Sequence, residues 1–143
     1  MVDGGEDATE MNEGAMNDGH SGNPAAPTAN LLGDLPARLD AEDFATLAEG
    51  GAFRLIRIVS TGQATPDGEW YDQPEDEWVL LLQGAAGLSI EGEGAVRALG
   101  PGDYLLLPAH CRHRVEWTAQ DGPTVWLALH FQPGAAPENR RLT

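Results

Sequence analysis

The sequence predicts an all-β protein, a sandwich or closed barrel of short strands. Three observations carry that reading. Apolar residues alternate over short runs rich in β-branched and aromatic side chains, as in FRLIRIV and TVWLALHF. Turn signals recur between the runs: TPDGE, QGAAG, GPGD and AQDGP. No helix-length pattern separates them, which argues against βαβ units and a parallel sheet. At 143 residues the chain has the length of one ordinary domain.

The first segment has little to bury. Residues 1–37 carry seven acids (Asp3, Glu6, Asp7, Glu10, Glu13, Asp18 and Asp34) and no Arg, and no aromatic precedes Phe44. Such a stretch cannot offset its ordering entropy, so residues 1–33 are expected to be a disordered acidic tail. The barrel is expected over 34–133, with a flexible tail over 134–143. Within the barrel, Asp40 and Asp43 predict the cap of a short helix. Phe44, Leu47 and Ala48 would form its apolar face, and Gly50-Gly51 would end it. From Phe53 the period changes to two. Strands are expected over 53–59, 78–82, 88–91, 95–99, 104–107, 114–118 and 124–131. Those at 88–91 and 95–99 flank GEG and read as a hairpin.

Charge narrows the function. The formal net charge is −15, and all eight basic residues are Arg. Nucleic-acid binding needs clustered cations facing phosphates, and an anionic membrane surface needs the same, so neither is an expected partner. No apolar stretch approaches the roughly 20 residues of a membrane span, and the N-terminus lacks the pattern of a secretory signal. One cysteine, Cys111, cannot form an internal disulfide. A cytoplasmic location is the simplest expectation. The partner left over is a small molecule bound by a monomer or homodimer.

Two stretches give the fold a family. WYDQPEDEWVLLLQG spans 70–84, and GPGDYLLLPAHCRH spans 100–113. Together they resemble the two motifs of the cupin superfamily, in order and separated by one hairpin. In the second, Gly102, five residues, Pro108 and then His113 match the family spacing. In the first, Glu77, six residues and Gly84 match. The resemblance covers roughly residues 52–131. It implies a small single-domain bacterial cupin: a jelly-roll β-barrel with its site inside.

Strand parity agrees. Glu77, Val79 and Leu81 share one face of their strand; His113, Val115 and Trp117 share one face of theirs. Inward Glu77 and His113 would meet in an apolar cavity suited to a small molecule. Metal-binding cupins usually place two His in the first motif, and here those slots hold Tyr71 and Gln73. The resemblance therefore implies a reduced ligand set of Gln73, Glu77 and His113 for a divalent Mn, Fe, Zn or Ni ion. Glu77 is also the expected general acid–base, and Tyr71 a phenol donor to a bound carbonyl or oxyanion.

The other candidates carry weaker cases. His110 is expected at a loop edge, and His20 falls in the tail. On the last strand Val125, Leu127, Leu129 and Phe131 make the more apolar face, so His130, which shares the other face with Trp126 and Ala128, is expected to face outward or to sit between barrel layers with a satisfied hydrogen bond. Cys111 is expected to be a small, partly buried side chain at a strand entrance, and Trp70 and Trp78 packing or rim residues. Arg54 and Arg57 fall on opposite strand faces, so at most one points inward. The acids around Glu77 are expected to face water, Asp76 among them. Two functions compete. One is a metal-dependent enzyme, dioxygenase- or isomerase-like, acting on a small organic molecule. The other is a metal-free binding or sensory barrel.

Overall fold

Period-2 alternation sets the architecture of the computed structural model, which describes residues 22–133. Eight strands follow one another: β1 (Asp43–Glu49), β2 (Phe53–Ser60), β3 (Asp76–Gln83), β4 (Ala86–Ile90), β5 (Arg97–Leu99), β6 (Tyr104–Leu107), β7 (His113–Thr118) and β8 (Thr124–Phe131). They form a five-stranded sheet in the order β1-β2-β8-β3-β6 and a three-stranded sheet in the order β5-β4-β7. Every pair is antiparallel. Val79, Leu81, Ala86, Leu107, Trp126 and Ala128 are buried together as the core. Full burial of such side chains is worth about 1.5–3 kcal/mol each.

The chain falls into two units, 1–30 and 31–143. Of the first, residues 22–30 are exposed and carry no helix or strand. The two expected tails fall mostly on 1–21 and 134–143, outside the described residues. No described helix is long and apolar enough to cross a membrane.

The expected helix is not formed. Asp43–Glu49 is β1, paired along β2 from Asp43 opposite Val59 to Glu49 opposite Arg54. A bulge between Thr46 and Ala48 shifts the register there. The extra residue breaks the period of two, which is why Phe44, Leu47 and Ala48 mimic a helical stripe in the sequence. Pairing with a long neighbour strand outweighs local helix propensity.

A second bulge corrects Trp117. Leu88 pairs with Val115 and Gly87 with Trp117, so Glu116 is the extra residue on β7. Parity flips after Val115. Thr118 is buried, whereas Trp117 is an exposed side chain covering Gly87.

The segment between β2 and β3 lies along β7 and is pinned to it. Thr65 N–H donates to the Val115 carbonyl at 2.9 Å, and Tyr71 exchanges backbone hydrogen bonds with His113. The buried Arg114 guanidinium donates to the carbonyls of Thr65, Pro66 and Glu69 at 3.0–3.1 Å. Arg112 and Arg114 also lie over the Trp70 ring. This anchorage brings Tyr71 and Gln73 to the mouth of the barrel.

Candidate functional site

A cavity of about 80 Å³, counted as space open to the centres of water-sized spheres, lies between the sheets. That is room for a small organic molecule rather than a single water. Its apolar wall comes from Phe44, Ile56, Ile58, Val79, Leu88, Val115 and Trp126, and its polar groups are Glu42, Tyr71, Gln73, Glu77, His113 and His130. All four sequence candidates, Tyr71, Gln73, Glu77 and His113, therefore line one cavity.

Glu77 sits at the inner end, 7% exposed, with an imidazole on each side. Its Oε1 is 3.5 Å from His113 Nε2, and its Oε2 is 3.7 Å from His130 Nε2. Both distances are too long for hydrogen bonds, so Oε1 is buried without a partner. His113 enters from β7, just past the backbone bridge to Tyr71. Its Nδ1 lies 2.8 Å from the Cys111 carbonyl, which can only accept. The bond therefore fixes a proton on Nδ1 and turns Nε2 toward Glu77. Burial alone lowers the His113 pKa, but the Glu77 carboxylate and the Cys111 carbonyl outweigh it and raise the group above the ordinary histidine value.

Tyr71 is stacked on His113, with ring centroids 5.5 Å apart. Burial, then Glu42 and then Glu77, raises its phenol pKa, so it stays protonated and able to donate. Gln73 is anchored through its carbonyl, which accepts from His110 N–H at 2.7 Å. Glu42 stands at the mouth, where Ser60 Oγ–H donates to its Oε2 at 2.5 Å.

Two of these residues escaped the sequence. His130 faces inward with Trp126 and Ala128, opposite to expectation. The opposite face, with Leu127, Leu129 and Phe131, is the more apolar but is only half-buried, so counting apolar side chains picked the wrong face. Its position directly opposite Glu77 in the β3–β8 ladder is a long-range fact. Glu42 was hidden by the helix expectation; as the residue before β1 it shares the inner face with Phe44. Asp76 also departs from expectation. It is buried, and one oxygen accepts from Ala109 N–H at 2.8 Å.

The remaining candidates lie elsewhere. His110 is exposed, in the left-handed region at φ 63°, with Nδ1 2.8 Å from Asp72. Cys111 packs against the core, and burial raises its thiol pKa. Arg57 donates to the Leu31 carbonyl, and Arg54 lines a second cavity of about 140 Å³. Trp78 packs on Tyr104. His20 lies outside the described residues.

Among the described residues no three His, Cys, Asp or Glu side chains stand together as ligands of one ion. The reason is that the Glu77 carboxylate lies between the imidazoles, one oxygen toward each. What the site offers a metal is a pair of facing donors, the unpartnered Glu77 Oε1 and His113 Nε2, with the Gln73 amide on the same cavity wall. Those donors fit a divalent ion that keeps several waters. The carbonyl bond on His113 Nδ1 is the outer support that metal-bound imidazoles commonly have.

Comparison with known proteins follows this geometry. Residues 58–130 match the model of the family described as "Cupin domain". A crystal structure from Ralstonia eutropha JMP134, named a "putative mannose-6-phosphate isomerase", is 48% identical; the match covers 75% of this chain and 99% of that one, with a TM-score of 0.73. A cupin superfamily protein from Desulfitobacterium hafniense DCB-2 is 21% identical over 68% of this chain and 84% of its own, TM-score 0.57. An RmlC-like cupin with a double-stranded β-helix fold, from Methanocaldococcus jannaschii, is 10% identical over 69% and 87%, TM-score 0.55. These last two show the fold alone. No curated protein matches. The motif spacing, the two-sheet barrel and the family match agree: the chain belongs to the cupin superfamily.

Proposed function

We propose that the barrel is an isomerase-like enzyme that moves a proton within a small organic molecule, with Glu77 as the acid–base. The observation that carries this is the buried Glu77 carboxylate, bracketed by two imidazoles and with one oxygen unpartnered in the cavity. In this reading Glu77 takes the proton from a hydroxyl-bearing carbon beside a carbonyl and returns it to the carbonyl carbon, while the hydroxyl proton passes to the former carbonyl oxygen. Tyr71 donates a hydrogen bond to the carbonyl oxygen as negative charge develops there, and His113 and His130 stabilise the carboxylate. The 48% identical Ralstonia relative, by its printed name, supports an isomerase class.

A metal-assisted version has its own observation, the facing pair of Glu77 Oε1 and His113 Nε2. A Mn, Fe, Zn or Ni ion held by Glu77, His113 and Gln73 would supply Lewis-acid polarisation of a substrate oxygen.

The test is proton NMR in D2O over a panel of small aldehydes, ketones and sugars. At least one compound is expected to gain deuterium beside its carbonyl. Glu77→Gln is expected to slow that exchange by about 10²–10⁴-fold. Exchange that survives Glu77→Gln unchanged refutes the role of Glu77. Elemental analysis of protein purified without chelators separates the two versions, since the metal-assisted one requires near-stoichiometric ion.

A further inference from the structure

The cavity is acidic, and among the described residues nothing cationic lines it except its two imidazoles. Glu42 and Glu77 both line it, and among the described residues no Arg does. The chain has no Lys at all. The described Arg side chains of the barrel strands are turned elsewhere. Arg54 opens on the second cavity and Arg57 is held by the Leu31 carbonyl. Arg97 and Arg112 are paired with Glu93 and Glu91, and Arg114 is buried under the 65–69 carbonyls. Both imidazoles stand at the inner end beside Glu77, which leaves Glu42 at the mouth.

The mouth has a second character. Phe44 is 55% exposed and Tyr71 37% exposed, and both line the cavity. Their ring faces carry negative quadrupole charge, which attracts cations. The unpartnered, nine-tenths buried Glu77 oxygen adds an acceptor waiting for a donor.

We infer that the mouth of Glu42, Phe44 and Tyr71 selects a positively charged head group: the molecule that enters is a small organic amine, carried as its ammonium, and not a phosphorylated sugar. A phosphate dianion would have to leave water for a cavity lined by two carboxylates and, among the described residues, by no guanidinium. An ammonium meets a carboxylate and two aromatic faces there. The inference rests on the reading of this cavity as the substrate site, and it names the substrate class.

Four probes test it by NMR titration of amide shifts at fixed ionic strength: n-butylammonium, 1-butanol, butanoate and mannose 6-phosphate. Butylammonium is expected to bind at least about tenfold more tightly than butanol, with shifts at Phe44, Tyr71 and Trp126. Butanoate and mannose 6-phosphate are expected not to bind in the cavity. Glu42→Gln keeps an acceptor for Ser60 and is expected to bring the ammonium-to-alcohol ratio close to one. Phe44→Leu is expected to lower it several-fold. Glu93→Gln removes the same charge from the exposed surface and is expected to leave it unchanged, which separates the site from the field of the whole protein. Equal binding of ammonium and alcohol, failure of butylammonium to bind, tighter binding of either anion, or a ratio that survives Glu42→Gln overturns the inference. Failure here with deuterium exchange intact leaves the catalytic reading standing. The charge preference without any exchange overturns only the catalytic reading.

Discussion

Segments 70–84 and 100–113 deliver the two sides of the site by different means. The second pairs with β3 but orients its histidine through its own backbone. It turns at Gly102, runs out as β6, ends at Pro108 and hands His113 to β7, with the Cys111 carbonyl two residues away fixing the ring. The first is held by its neighbours. Before becoming β3 it lies along β7, pinned by Arg114 and by the Tyr71–His113 bridge. A wall residue at the mouth needs a correct backbone path, and this chain supplies that path through a guanidinium.

The motif glycines allow the comparison to be broken most severely. Gly84 and Gly102 both have positive φ, 93° and 95°. A Cβ on Gly84 would fall 2.7 Å from the Thr124 Cα, which is backbone and cannot move aside; a Cβ on Gly102 would meet nothing within 4 Å. Gly84→Ala is therefore expected to cost about 2–4 kcal/mol, overpacking added to left-handed strain. Gly102→Ala is expected to cost only the strain, about 1 kcal/mol. Urea unfolding of the two variants measures both, and equal costs would show that the Thr124 contact relaxes.

The anchorage of the first segment is the next target. Arg114→Ala removes three hydrogen bonds, one to the buried Thr65 carbonyl and two to the part-buried carbonyls of Pro66 and Glu69, and is expected to cost about 2–3 kcal/mol. Amide exchange should rise at Thr65 and Tyr71, while residues 104–107 keep their protection. A uniform rise across both segments would mean that the two are held as one unit.

The smallest effect lies at the surface, in the connection from β4 to β5. Arg97 donates to Glu93 at 2.7–3.0 Å and holds its carboxyl below the usual range. Because the folded value is depressed, any stability gained is present above the ordinary glutamate value and lost as pH falls through the lowered one. Both groups are fully solvated, so Arg97→Gln is expected to return Glu93 to its ordinary titration in an NMR pH series. The urea midpoint at neutral pH should not move.

Much of this was legible in the chain because it is local. Alternation fixed β2, β6 and β8 nearly to the residue, and the spacings Glu77-to-Gly84 and Gly102-to-His113 named the family. What was misread involves bulges or an apolar outer face. Leu47 and Glu116 each add a residue that changes the side-chain period, turning β1 into an apparent helix and sending Trp117 outward. On β8 the half-buried face of Leu127, Leu129 and Phe131 is more apolar than the buried one, so composition concealed which face holds His130.

The sequence by itself determined an all-β cupin barrel and placed Glu77 and His113 together in a mostly apolar cavity. Only the tertiary structure decided that Glu77 has a second imidazole beside it, that Glu42 joins it in the cavity, and that no described Arg lines it. The physical reason is register. Which residues of β1, β3, β7 and β8 face each other depends on pairings between strands far apart in the chain, and one inserted residue moves every side chain beyond it to the opposite face.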